Sequence, residues 1–184
     1  MIRSIVFLFF LFQVAWVNKL TAQHAKWASH GIRKIETRTT ELKDSAFTSR
    51  TVELINRKGK VLESWEWGKE EKLLKHTVNK YSKWVFESKI YDKNDSLKIR
   101  EYVLYDKKGR EIERTTNQLR ENLIRKTIIS YDKWGNKTSE LLFINDKIEK
   151  QRLYFYNNEG ILERQITKNA DGKIVFEKTF QLTR

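Results

Sequence analysis

From about Leu97 to the C-terminus, runs of eight or nine residues with alternating apolar and polar positions are separated by short polar breaks. The last run has Ile174, Phe176, Phe180 and Leu182 at one parity and Val175, Glu177, Thr179 and Gln181 at the other, with Lys178 as an intruder. That period of two predicts a half-buried strand. Other runs carry apolar residues at both parities: Ile124 and Ile128 oppose Leu123, Ile129 and Tyr131, and Leu141 and Phe143 oppose Leu142 and Ile144. A flat one-sided sheet does not need this, whereas a strongly twisted open sheet, or one curled or closed into a barrel, does.

The breaks repeat one short phrase. Tyr105-Asp106-Lys107-Lys108-Gly109-Arg110 returns as Tyr131-Asp132-Lys133-Trp134-Gly135-Asn136 and as Tyr156-Asn157-Asn158-Glu159-Gly160-Ile161. Weaker copies stand at Asn56 to Lys60, Tyr91 to Asp95 and Asn169 to Lys173. Asp or Asn opens such a turn by bonding its side chain to backbone two residues on, and Gly accepts the positive φ with which a short hairpin loop ends. Asp106, Gly109, Asp132, Gly135, Asn157, Gly160 and Gly172 are therefore the expected structural turn residues.

With Arg120-Glu121-Asn122 and Asn145-Asp146-Lys147 as Gly-free turns, loop centres fall 12 or 13 residues apart. The strands between them cover Leu97–Tyr105, Arg110–Gln118, Leu123–Tyr131, Asn136–Ile144, Ile148–Tyr156, Ile161–Lys168 and Lys173–Leu182. Arg33 to Leu42 reads as a leading strand, and Lys69 to His76 as a helical turn or a charged strand. Short sequential loops predict an all-β antiparallel meander of about 9–11 strands.

The first 22 residues break the pattern. Met1-Ile2-Arg3 is a positive lead, Ile5 to Val17 is almost wholly apolar, and Leu20-Thr21-Ala22-Gln23 offers a small residue for cleavage. This is the make-up of a secretory signal peptide, and the apolar run is short for a membrane span of about 20 residues. Its removal takes Arg3 and Lys19 and no acid, leaving +11 of the +13 net charge. Residues 23–184 then form one β-meander domain with an irregular lead-in at 23–50. Export without cysteine points to a periplasmic, envelope-bound or secreted bacterial protein whose stability needs no disulfide.

A basic chain attracts phosphate, sulfate or carboxylate polymers at long range. Acids are interleaved with the bases, as in Arg110-Glu111-Ile112-Glu113-Arg114, which is also the ordinary decoration of an exposed sheet. Export disfavours nucleic acid, which leaves anionic glycan, the envelope surface or a protein as partner.

Chemistry is sparse. The three histidines, His24, His30 and His76, have no partner at metal-ligand spacing, and neither a Gly-x-Ser-x-Gly elbow nor a cysteine nucleophile is present. Asp92-x-Asn94-x-Ser96 opens like a calcium loop, but Leu97 stands where the sharp-turn Gly belongs and Val103 where the bidentate Glu belongs. No cofactor, metal or catalytic residue is expected.

Tryptophan is the better clue. Trp65 and Trp67 lie two apart and so on one strand face, Trp84 and Phe86 repeat the arrangement within Tyr81 to Tyr91, and Trp134 sits inside a turn between Lys133 and Lys137. Aromatic planes on a sheet stack sugar rings or apolar partner surface, and equally fill cores. Trp65, Trp67, Trp84, Trp134, Lys133 and Lys137 are the candidate binding residues. Asp95-Ser96-Leu97 and Asp44-Ser45-Ala46 match a short acceptor pattern for O-glycosylation.

Tyr-Asp-x-x-Gly followed by an alternating strand resembles the YD-repeat of the RHS family, with Tyr105 to Gly109 and Tyr131 to Gly135 the close matches, Tyr156 to Gly160 a near one and coverage of about residues 51–182. Large RHS proteins wind such strands into a shell around a toxin domain, and this chain has too few repeats for that. A weaker resemblance is to short MORN-like antitoxin repeats. The resemblance implies a β-meander and carries over no catalytic residue. The expected function is a secreted, non-enzymatic binding or structural module of the bacterial envelope or exterior. Its alternatives are an immunity-like partner of a secreted toxin and an enzyme acting on envelope polysaccharide.

Overall fold

The structure, a computed structural model, describes residues 22–41 and 46–181. The expected signal peptide lies outside them except for its last residue, as do Asp44 and Ser45. Residues 22–29 are helical and end at Gly31, whose φ of 83° makes the left-handed stop that closes many helices. No helix among the described residues is long and apolar enough to cross a membrane.

Twelve strands follow: β1 (Lys34–Glu41), β2 (Ala46–Ile55), β3 (Val61–Trp67), β4 (Leu73–Tyr81), β5 (Val85–Asp92), β6 (Leu97–Tyr105), β7 (Glu111–Gln118), β8 (Leu123–Tyr131), β9 (Lys137–Ile144), β10 (Lys147–Tyr156), β11 (Leu162–Asn169) and β12 (Ile174–Thr179). Among the described residues they make one antiparallel sheet in chain order, with β1 and β12 as its edge strands. The charged stretch at Lys69 resolves into a short 3-10 turn, Lys69–Glu71, followed by β4.

Six turns share one hydrogen-bond plan. In the clearest, Asp106 Oδ1 accepts from the N–H groups of Lys108 and Arg110 at 2.8 and 2.9 Å, Gly109 N donates to Asp106 O, and Asp106 N donates to Arg110 O. Asn56, Asp92, Asp132, Asn157 and Asn169 open the others with the same backbone pair. Gly59, Gly109, Gly135, Gly160 and Gly172 all have positive φ, and Asp95 takes the same left-handed place at φ 58° where no Gly stands. The Gly-free turn Asn145-Asp146 has both residues left-handed, as a two-residue hairpin loop requires.

A second regularity is invisible in the sequence. Leu62, Ile112, Thr138, Glu163 and Val175 are each skipped in the pairing register, and each stands seven residues after the last paired residue of the incoming strand. Each of these five turns is thus followed by a β-bulge, which breaks the parity of the outgoing strand. The expected shared face of Ile174 and Phe176 is a casualty: Ile174 pairs with Lys168 and Phe176 with Thr167, residues of opposite faces. Nor is β12 half-buried. Every residue of β12 is exposed, Ile174, Val175 and Phe176 by 51–60%, because it has a neighbour on one side only.

Two compact units are built on this plan. Of the described residues, those up to Asn79 together with Ile90–Ser96 form the first, and Lys80–Lys89 together with those from Leu97 onward form the second. In the first, Ala28, Val52 and Ile55 are the buried hydrophobics among the described residues, and the helix lies against the β2–β3 turn. In the second they are Val103, Ile129 and Ile166. Ile129 pairs with Glu140 on one face, while Ile166 pairs with Leu153 on the other, so apolar area is buried on both faces. Charged partners cover the rest: Arg114 bridges Glu101 and Glu111, and Glu140 gathers Lys137, Arg152 and Tyr154.

Candidate functional site

The turn chemistry presents Trp134. Asp132 Oδ1 accepts from the N–H groups of Trp134, Gly135 and Asn136 at 2.7–2.9 Å, and its Oδ2 accepts from Asn136 Nδ2 at 3.0 Å. Desolvation pushes the Asp132 carboxyl up, but these donors outweigh it and hold it below the usual carboxylate range. The backbone under Trp134 is therefore pinned, while its side chain is 76% exposed with Lys133 Nζ 4.3 Å from the ring centroid.

Beside this tip lies an open groove of about 670 Å³, lined by Trp134, Asn136, Thr138, Tyr154 and Tyr156 and closed by the Asn157 to Gly160 turn. The Tyr154 hydroxyl donates to Glu140 Oε2 at 2.6 Å. Burial, then the Glu140 carboxylate, pushes this phenol up, so it stays a neutral donor. Burial raises Glu140 in turn, yet Lys137, Tyr154 and Arg152 together hold it low and ionised. Lys137 is thus drawn onto Glu140 at 2.7 Å, its Nζ 5.8 Å from the Tyr154 ring, and does not line the groove.

Trp65 and Trp67 do share one face of β3, half-buried in a shallow pocket of about 380 Å³ with Arg50, Val52 and Leu54. Both are occupied. Trp65 stacks on His76 at 5.1 Å and 4°, His76 also stacks on Tyr91, and its Nε2 lies 2.8 Å from Glu63 Oε1. The Arg50 guanidinium sits 4.0 Å over Trp67. His76 and Arg50 escaped sequence reasoning as partners because they meet the tryptophans only across strands, and Tyr91 because it joins through His76.

Trp84 departs from expectation. It precedes β5 and does not share a strand face with Phe86, because Ser82 N donates to Val85 O at 2.8 Å and pinches Lys83-Trp84 into a two-residue tip. Lys83 Nζ lies 4.7 Å from its ring, the same Lys-over-Trp pairing as in Lys133-Trp134. That recurring dipeptide is the signal that could have linked the two. Among the described residues no group of three His, Cys, Asp or Glu side chains could hold a metal ion.

Fold and turns define an antiparallel β-hairpin repeat protein. No family model and no curated protein matches the chain. Among solved structures it is similar to a porin-like protein from Bacteroides uniformis, at 17% identity and TM-score 0.41, covering 79% of this chain and 57% of that one. It is also similar to the Photorhabdus luminescens Tc holotoxin pore, at 11% identity and TM-score 0.33, over 78% of this chain and 9% of that one. A protein of unknown function from Bacteroides fragilis aligns at 12% identity and TM-score 0.21, over 83% and 95% of the two chains. The chain thus spans little more than half of the first and a small part of the second, and at these TM-scores none of the likenesses carries an argument about function.

Proposed function

We propose that the chain is a secreted, non-enzymatic repeat module of the YD type that binds polysaccharide at the bacterial envelope or exterior. The observation that carries this reading is Trp134, a large aromatic plane presented to solvent on a pinned turn beside a groove of aromatic rings, amides and a hydroxyl, with Asp132 and Glu159 at its lining. Aromatic faces stack on the apolar faces of sugar rings, and neutral amides and hydroxyls complete the hydrogen bonding. The leader of apolar residues before Ala22 supports export. The alternative of a glycan-cleaving enzyme needs two carboxyl groups in distinct acid and base roles; of the two lining this groove, Asp132 and Glu159, Asp132 is engaged by the N–H groups of its own turn.

The test is Trp134→Ala. Melting temperature should be nearly unchanged, and binding to isolated envelope polysaccharide should weaken about tenfold, which is about 1.4 kcal/mol. A stability loss of 3 kcal/mol or more, the size of an emptied core site, would make Trp134 a packing residue and remove the anchor of this reading.

A further inference from the structure

A meander puts alternate loops at opposite ends of its strands, so residues far apart in sequence line up along one row of tips. In the second unit three neighbouring tips of one row are Lys83-Trp84, Lys107-Lys108-Gly109 and Lys133-Trp134-Gly135, between β4 and β5, β6 and β7, and β8 and β9 respectively. Contacts tie them together. Tyr105 N, at the base of the middle tip, donates to Trp84 O at 2.9 Å. Arg110, which ends the middle turn, stacks 4.4 Å over the Tyr131 ring at the base of the third. Neighbouring strands lie about 4.8 Å apart, so the outer two tips stand about 19 Å apart with the lysine pair halfway.

The row has one sign of charge at its surface. Lys83, Trp84, Lys107, Lys108, Lys133 and Trp134 are all exposed. The two acids at the tips, Asp106 and Asp132, are turned onto the N–H groups of their own turns. Within this unit the loops at the other end of the strands carry both signs, Arg120 beside Glu121, Asp146, and Lys173 beside Asp171, so the single sign belongs to this row rather than to the basic chain as a whole. The next tip along, Asn158-Glu159-Gly160, carries an acid and no cation, which ends the row.

We propose that this row is a docking edge for one linear anionic polysaccharide, its chain laid across the three tips. The chain stacks a sugar ring on Trp84 and another on Trp134 and sets its carboxylates or sulfates against Lys107 and Lys108. The inference rests on the polysaccharide reading above and extends it to a charge class and a length. Two aromatic planes separated by a cationic pair match a polymer that repeats ring and charge along its axis, and each tip raises the effective concentration of ligand at the next.

The test is binding of the purified protein to polygalacturonate from dimer to long polymer, with neutral dextran and anionic phosphatidylglycerol vesicles as the other probes. Affinity should rise with polygalacturonate length and fall steeply between about 0.05 and 0.5 M salt. Trp84→Ala and Trp134→Ala should each weaken the long polymer about tenfold while leaving the dimer little changed. Lys107→Ser with Lys108→Ser should remove most of the salt dependence without changing the melting temperature. If Trp134→Ala weakens binding but Trp84→Ala and the lysine pair do not, the docking edge is overturned and the Trp134 site stands. If none of these changes affects binding, both readings fall. Equal affinity for dextran, binding to vesicles with none to polygalacturonate, or no binding to any probe also overturns the edge.

Discussion

The Tyr131 hydroxyl donates to the backbone carbonyl oxygen of Glu111 at 2.8 Å, so the tyrosine that opens one turn is fastened to the strand leaving the turn before it. The same ring lies under the Arg110 guanidinium at 4.4 Å. One residue of the repeated phrase therefore belongs to two successive hairpins, and it spaces the turn tips as well as closing a strand.

Tyr131→Phe, which keeps the ring and loses only the hydroxyl, should destabilise the protein by about 1 kcal/mol. Tyr131→Ala should cost clearly more, since it also empties the half-buried ring site beneath Arg110. Urea unfolding of the two variants checks this, and equal losses would mean that the ring contributes nothing beyond its hydroxyl.

The turn glycines should differ in a definite order. Gly109 has φ 77° and open space around a built Cβ, so Gly109→Ala should cost about 1 kcal/mol from backbone strain alone. Gly59 has nearly the same φ, but a Cβ there would lie 2.4 Å from Ala25 N in the helix over residues 22–29. Gly59→Ala should therefore cost more than Gly109→Ala and should expose His24, now buried with its Nε2 3.3 Å from Glu53 Oε2. Denaturation midpoints and proton exchange at His24 measure both effects. At Gly109, Gly→Asn should be milder than Gly→Val, because Asn tolerates the left-handed region and a β-branched residue does not.

Acid should unfold the protein through its turns. Asp106 is held below the ordinary carboxylate value by the Arg110 N–H first, against desolvation, and Asp132 by its own amide donors. A carboxylate with a depressed folded pKa adds stability above its unfolded value, near 3.8, and that stability is lost as pH falls through the lower folded value. Glu140 acts in the same direction from an ordinary value of 4.5. Stability should thus fall from about pH 5 downward. Asp106→Asn with Asp132→Asn should flatten that acid limb, and thermal melts between pH 3 and pH 7 measure the slope.

The hairpins and most strand limits were readable in advance because their causes are local. An Asx side chain, two backbone N–H groups and a residue able to take positive φ lie within five positions, so Leu97–Tyr105 and Leu123–Tyr131 are the observed β6 and β8 to the residue. Even Asp95 obeys the plan without glycine, since Asp is among the side chains that tolerate the left-handed region. The lead-in and Trp84 were harder. Alternation from Tyr81 to Tyr91 runs straight through Ser82 and Trp84 on paper, while in the fold Ser82 N turns back to Val85 O.

What the amino-acid sequence determined by itself is the antiparallel meander, the positions of its turns and the candidate status of Trp134, because turn geometry and strand period are set by neighbours along the chain. Only the tertiary structure decided which side chains share a face, since each bulge seven residues past an incoming strand shifts parity by cross-strand pairing. It alone decided that Trp65 and Trp67 are taken up by His76 and Arg50, that Lys137 serves Glu140, and that Trp84 and Trp134 stand on one row of tips. Those are relations between residues brought together by strand order, and the free energy that selects them is spread over pairs that no window of sequence contains.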